Sequence, residues 1–351
     1  MESIQSFISR LPKAELHLHL EGTITPATLV ELSALGEPGK QDEPGKQAPR
    51  TLAEAEALYA YSDFTGFLQA FKTVVMELRG ADEYELAAWR MMQKLAEQGV
   101  RHAEVYISVG VIFRLRPDED IADPALFQKI FAGLERARER GERELGITLY
   151  WIFDAVRNFS VPEAERVFRL AAEMRKQYPS IIGIGLGGDE RITGSEPYRA
   201  LYAEAAAAGL RLTNHAGETT GPEAIREALG IGSERLGHVV SAIDDRALLE
   251  ELKTRQIPLE LNPTSNVRTG VCTAHCDHPI RRYFDHGLLV VVNSDDPAFF
   301  GATVEDEYRL AHEVHGFTRE ELCTLAENSF RASFLPEAEK QRWLDQIGSC
   351  R

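Results

Sequence analysis

The sequence predicts a (β/α)8 barrel. Eight short apolar, β-branched runs recur along the 351 residues, helical patterns alternate with them, and no Gly-rich dinucleotide loop is present. The runs are Ala14–Leu20, Ala103–Ser108, Ile147–Asp154, Ile181–Gly187, Leu210–His215, Arg235–Val239, Ile257–Leu261 and Leu288–Ser294. Continuous apolar runs of this length suit strands buried on both faces, as in a parallel sheet. The sixth is the weakest of the set.

Helical spacing is clear over Glu85–Gln98, Pro124–Glu144, Pro162–Gln177, Glu196–Ala208, Pro222–Leu229 and Asp245–Arg255. Several of these carry Pro near the start, where its missing N–H costs nothing. An open doubly wound sheet is the runner-up, and the lack of a phosphate-binding Gly loop weakens it. Leu52–Leu78 reads as an apolar helical insertion between the first two strands, and the chain is helical after Glu305. The segment Gly36–Arg50 repeats EPGKQ and reads as a flexible loop with no packed core. No domain boundary interrupts residues 1–351, so one barrel domain is expected.

Composition narrows the function. Lys and Arg total 39 against 55 Asp and Glu, a formal charge of −16, which repels nucleic-acid backbones and anionic lipid. A small-molecule substrate is expected, with no nucleic-acid and no membrane partner; the sequence specifies no oligomer. The N-terminus lacks a basic start followed by an apolar core, so a cytoplasmic protein is expected. Cys272, Cys276, Cys323 and Cys350 then read as reduced thiols.

Polar chemistry collects where the strands end. The first strand holds His17 and His19, two apart and hence on one face. The fifth ends in His215-Ala216-Gly217-Glu218, the sixth carries His238, and the eighth ends in Ser294-Asp295-Asp296-Pro297. An H-x-H pair alone is more readily two exposed histidines on a polar strand face. Four strand ends that converge on one barrel rim, each bringing His or Asp, are not readily a solvated surface. Imidazole and carboxylate suit zinc, and by ligand type iron or manganese as well; zinc is preferred, so His17, His19, His215 and Asp295 are the expected ligands of one Zn2+ per chain. The compact segment CTAHCDH, with Cys272, His275, Cys276 and His278, is a rival whose spacing is too tight for a usual two-knuckle site. His102, His286, His312 and His315 read as surface or packing residues on helices or turns. Phe64, Phe67 and Phe71 recur at helical spacing, for which core packing is the default.

The motifs PKAELHLHLEGT, HAGET, RLGHV, NPTSN and NSDDPAFFG, in this order from Pro12 to Gly301, resemble the adenosine/AMP-deaminase family of the amidohydrolase superfamily. The resemblance implies a (β/α)8 barrel, one zinc, and hydrolytic removal of the 6-amino group of an adenine-type purine. It gives Glu218 the role of the acid that protonates purine N1. His238 matches the residue that orients and helps deprotonate the attacking water. Asp296 matches the partner of N7, Gly188 the glycine whose N–H meets N3, and Glu21 the acid near the sugar. The matching family helix covers the purine, which makes Phe64 and Phe67 part of a lid.

The resemblance points to adenosine or a 5′-modified adenosine such as aminodeoxyfutalosine, with free adenine as the alternative. A benzoate-bearing substrate of that kind wants a cation at the pocket mouth. Arg157 is the candidate taken from the third strand, with Arg114 and Arg116 following the second.

Overall fold

The computed structural model describes residues 2–35, 49–61, 64–115 and 122–350, without the side chains of residues 64, 65, 68 and 115. Most of the expected 36–50 loop, together with Arg116, lies outside the described residues.

Eight parallel strands run in chain order around the sheet: β1 (Lys13–His19), β2 (Val100–Ile107), β3 (Thr148–Val156), β4 (Ile181–Gly187), β5 (Arg211–Ala216), β6 (Arg235–His238), β7 (Leu259–Leu261) and β8 (Val290–Val292). Just past β8 a parallel bridge joins Asp295 to Leu18, with His19 N–H donating to the Asp295 carbonyl (3.1 Å) and Asp295 N–H to that of His17 (3.1 Å). The sheet therefore curls back on itself as a (β/α)8 barrel, and the open doubly wound alternative falls. Asp295 sits at the seam, so its side chain is presented by the contact that closes the barrel.

The helices follow the apolar periodicity. Pro124–Leu145 starts behind the Asp123 cap and ends at Gly146 in the left-handed region (φ 67°), which suits a residue without Cβ. Ala81–Glu97 packs against it. The expected insertion between the first strands forms two helices, Leu52–Tyr59 and Phe64–Met76, and the second packs against the Glu21–Thr23 turn that follows β1. Three helices, Val304–Glu313, Arg319–Ala332 and Glu337–Gly348, complete the C-terminal part. Among the described residues no helix is long and apolar enough to cross a membrane.

The barrel interior is charged at its floor, which the apolar runs did not announce. Arg235 on β6 is fully buried and pairs with Glu104 of β2 (2.6 Å) and with Glu260 of β7, while its guanidinium stacks over Phe334. Such a triad needs every partner, because a buried charge left alone costs several kcal/mol. His102, expected on a helix or turn as a surface or packing residue, lies instead within β2 and is a buried packing residue, with its ring on Thr148 and Glu104.

Candidate active site

The floor triad supports the site above it. Glu260, held by Arg235, accepts the Nδ1–H of His17 (2.8 Å). This fixes the tautomer and turns Nε2 of His17 inward, where it is buried with no hydrogen-bond partner. His19, two residues on, faces the same way. Its Nε2 lies 3.3 Å from His215 Nε2 and 3.4 Å from Asp295 Oδ1, and His17 Nε2 lies 3.6 Å from that same oxygen.

The fit to a metal can be tested on these distances. Four donors arranged tetrahedrally about an ion at bond lengths of about 2.0–2.1 Å lie about 3.3–3.4 Å apart. The observed separations of 3.3, 3.4 and 3.6 Å match that spacing. Three imidazoles and a carboxylate would otherwise be a costly set to bury together without a cation. His17, His19, His215 and Asp295 therefore fit a metal ion. Among the described residues the two groups with ligand spacing are His17, His19, His215 and His17, His238, Asp295. The CTAHCDH segment forms no such group. No disulfide joins Cys272, Cys276, Cys323 or Cys350, and His278 is bonded to Asn266.

The backbone shows where the chain is forced. Asp295 (φ 64°) and His238 (φ 65°) are non-glycine residues in the left-handed region, a strain that concentrates at functional sites. Ser265 Oγ–H donates to Asp295 Oδ2 (2.6 Å), leaving Oδ1 toward the histidines. Gly237, level with His215 across the β5–β6 pair, leaves the space that the His17 ring fills: a Cβ there would sit 2.6 Å from His17 Cε1.

Glu218 stands in the loop after β5, its carboxyl 3.8 Å from His238 Nε2. Burial pushes this carboxyl up to about 8, with the charges of Asp295 and Glu190 adding to the effect, so it is an acid at neutral pH. Burial also holds His238 down to about 3, a neutral ring. Asp296 is driven well above the usual carboxylate range by burial and by Asp295 and Glu21, and its buried Oδ1 has no hydrogen-bond partner. Glu21 accepts the Ser108 N–H (3.0 Å) through one oxygen, and its buried Oε2 is unpartnered; burial pushes it to about 7. Gly188 turns the chain at the end of β4 with φ 90°. These groups all stand at the carboxyl ends of the strands, the rim where barrel active sites lie.

Phe67 sits in an aromatic cluster with Tyr61, Phe71, Phe299 and Phe300. It thus packs on the Pro297–Phe300 helix that follows Asp296, over the rim. The Phe64 side chain lies outside the described residues. Arg157 is a correction. It is 1% exposed, and its guanidinium donates to Asn214 Oδ1 (2.6 Å), the His215 carbonyl (2.9 Å), Ser195 Oγ and the Thr193 carbonyl. The side chain is drawn back into the β4–β5 seam, where it braces the His215 strand and offers no cation at the pocket mouth. Arg114 is exposed and lies 3.5 Å from Glu163.

Besides Glu104 and Glu260, two more carboxylates went unnoticed in the sequence. Glu190, 5% exposed, accepts four successive N–H groups from Gly217 (2.7 Å), Glu218 (2.9 Å), Thr219 (2.8 Å) and Thr220 (3.3 Å). It ties the Glu218 loop to the segment just after Gly188. Asp154, at the end of β3, is buried beside Gly185 and Gly187, and one of its oxygens has no partner. Only the proximity of GGDE to a strand end hinted at Glu190; nothing local marked Asp154.

A barrel whose rim gathers metal ligands, a proton-bearing carboxyl and a neutral histidine belongs to the metal-assisted hydrolases. The adenosine deaminase family model matches residues 12–350, and the chain belongs to this family. It is a hydrolase acting on amidine C–N bonds. It is 35% identical to an aminodeoxyfutalosine deaminase of Streptomyces avermitilis over 345 residues, covering 98% of this chain and 92% of that one. It is 36% identical to an adenine deaminase of Streptomyces coelicolor over 349 residues, covering 97% and 96%. The crystal structure of an adenine deaminase from Arthrobacter aurescens superposes with a TM-score of 0.81 at 30% identity, covering 96% and 98%.

Proposed function

We propose that the protein removes the 6-amino group of an adenine-type purine by zinc-dependent hydrolysis, with adenosine or a 5′-modified adenosine as substrate and one zinc per chain. The observation that carries this reading is the place of Glu218: a carboxyl 3.8 Å from His238 Nε2, beside a cluster with metal-ligand spacing, where burial raises its pKa. Attack at C6 pushes electrons into an aromatic ring, and a proton delivered to N1 is the sink that accepts them. His17, His19, His215 and Asp295 would hold a zinc ion, which would supply a water that ionises at about pH 7. Glu218 donates its proton to N1. Asp296, protonated by its surroundings, donates to N7, and the Gly188 N–H meets N3, so three ring nitrogens fix the base. Phe67 and its aromatic neighbours close over the ring and exclude water.

Free adenine is the second reading. Relatives named for adenine and for aminodeoxyfutalosine are equally similar to this chain, and Glu21 can meet a sugar hydroxyl or the N9–H of a free base. The loss of Arg157 as a mouth cation removes one argument for a benzoate-bearing substrate. Ammonia release from adenosine, 5′-deoxyadenosine, aminodeoxyfutalosine, adenine and AMP decides between them. Turnover of a nucleoside in preference to adenine supports the first reading, and turnover of adenine alone overturns it.

A further inference from the structure

We propose that His278 and Asn266 are positioning residues that hold His238 protonated on Nε2, so that His238 meets the reacting atoms as a hydrogen-bond donor and not as a base. The role rests on the deaminase reading above; the tautomer itself does not.

The argument begins from a group that can only donate. The backbone N–H of Ile280 points at His278 Nδ1 (3.3 Å), so that nitrogen is unprotonated. His278 is buried, and burial holds it neutral, down to about 3. Its single proton is therefore on Nε2, which lies 3.2 Å from Asn266 Oδ1 and donates to it. The orientation of the Asn266 amide follows: its oxygen faces His278, so its NH2 group faces His238, with Nδ2 3.0 Å from His238 Nδ1. A second amide nitrogen, Nδ2 of Asn262, lies 3.4 Å from the same atom. The Asn266 donor aimed at Nδ1 leaves no place for a proton there. A neutral His238 ring must carry it on Nε2, the atom that lies 3.8 Å from Glu218 Oε2 and 3.9 Å from Asp295 Oδ2. The turn that follows His238 is anchored by Tyr283, whose O–H is shared between the carbonyls of Val239 (2.9 Å) and Val240 (3.0 Å).

With Nε2 occupied, proton transfer falls to Glu218. Its proton goes to N1 as the oxygen–C6 bond forms. The resulting carboxylate takes the hydroxyl proton from C6 and passes it to the amino group. The C6–N bond then breaks, its electron pair leaving with ammonia as C6=O forms, and the next water restores the proton to Glu218 when it ionises. His238 donates a hydrogen bond to the attacking oxygen throughout.

The test is nitrogen NMR on the zinc-loaded protein labelled with 15N-histidine, the His238 signals being assigned by their loss in His238→Gln. The expected spectrum has an unprotonated Nδ1 and a protonated Nε2. Asn266→Asp places an acceptor opposite Nδ1 and is expected to draw the proton there. His278→Gln keeps a donor toward Asn266 and an acceptor toward Ile280, and is expected to retain the wild-type pattern. His278→Phe loses that pattern and lowers kcat by about tenfold with little change in KM. A His238 protonated on Nδ1 in the wild type, or unchanged on Nε2 in Asn266→Asp, overturns the proposal. The spectra need no substrate, so this failure is distinct from failure of the purine reading, which shows as no ammonia release.

Discussion

Gly237→Ala is the smallest change that should disable the metal site. The added Cβ would lie 2.6 Å from His17 Cε1 and 2.9 Å from His17 Nδ1. Ordinary carbon contacts begin near about 3.5 Å, so the ring must retreat by about 1 Å. It has nowhere to go. His17 is fully buried, its Nδ1 is tied to Glu260 at 2.8 Å, and the rings of Tyr106 and His215 lie on other sides of it. Overpacking of this kind costs about 1–3 kcal/mol of stability. A displacement of about 1 Å at a reacting centre costs about 100-fold in rate. Zinc titration against a competing chelator, with ammonia release on the reloaded protein, reads both effects. A Gly237→Ala protein that binds zinc with wild-type affinity and turns over at the wild-type rate would refute the packing argument.

Other outcomes follow from the same geometry. Glu190→Ala leaves four N–H groups of the Glu218 loop without their acceptor, so kcat is expected to fall by about 100-fold while zinc content holds, as steady-state kinetics and metal analysis would show. Activity needs the protonated form of Glu218, whose pKa is raised to about 8, so kcat is expected to fall as pH rises through that region. Glu190→Gln removes one of the charges that raise it, and the basic limb in a pH–rate profile should move to lower pH. For Glu104, burial pushes the carboxyl up, but Arg235 and His102 overcome it and hold it to about 2. A depressed pKa stabilises the fold above the unfolded value of about 4.5 and loses that contribution as pH falls toward 2. Arg235→Met strands both Glu104 and Glu260 and should cost about 3–5 kcal/mol in urea unfolding at neutral pH; an unchanged midpoint would contradict the triad.

The parts of this site legible in the sequence are those written locally. His17 and His19 share a strand face by simple alternation, and His215, Glu218, His238 and Asp295 each sit at the end of an apolar run. A barrel brings such ends together, so strand count and polar punctuation were enough to assemble them. What could not be read depends on tertiary partners. Glu190 acts through the backbone of a loop some thirty residues on, and Glu260 looks like an ordinary charge in β7 until Arg235 and His17 are placed beside it. His278 stood out only as one member of a metal-like cluster, and its use became visible once Asn266 linked it to His238. Arg157 was misjudged for the same reason. Its position after a strand pointed to the rim, but a long side chain can fold back, and the acceptors of β5 drew it inward.

The central claim is that Glu218 supplies the proton that makes C6 open to attack, and the most direct measurement is ammonia release by Glu218→Gln beside the wild type, with zinc assayed in both. The account predicts one zinc per chain in each protein, rapid release from a purine nucleoside by the wild type, and none above background from the variant. A variant that still releases ammonia at the wild-type rate would contradict it, because the proton would then have to come from elsewhere.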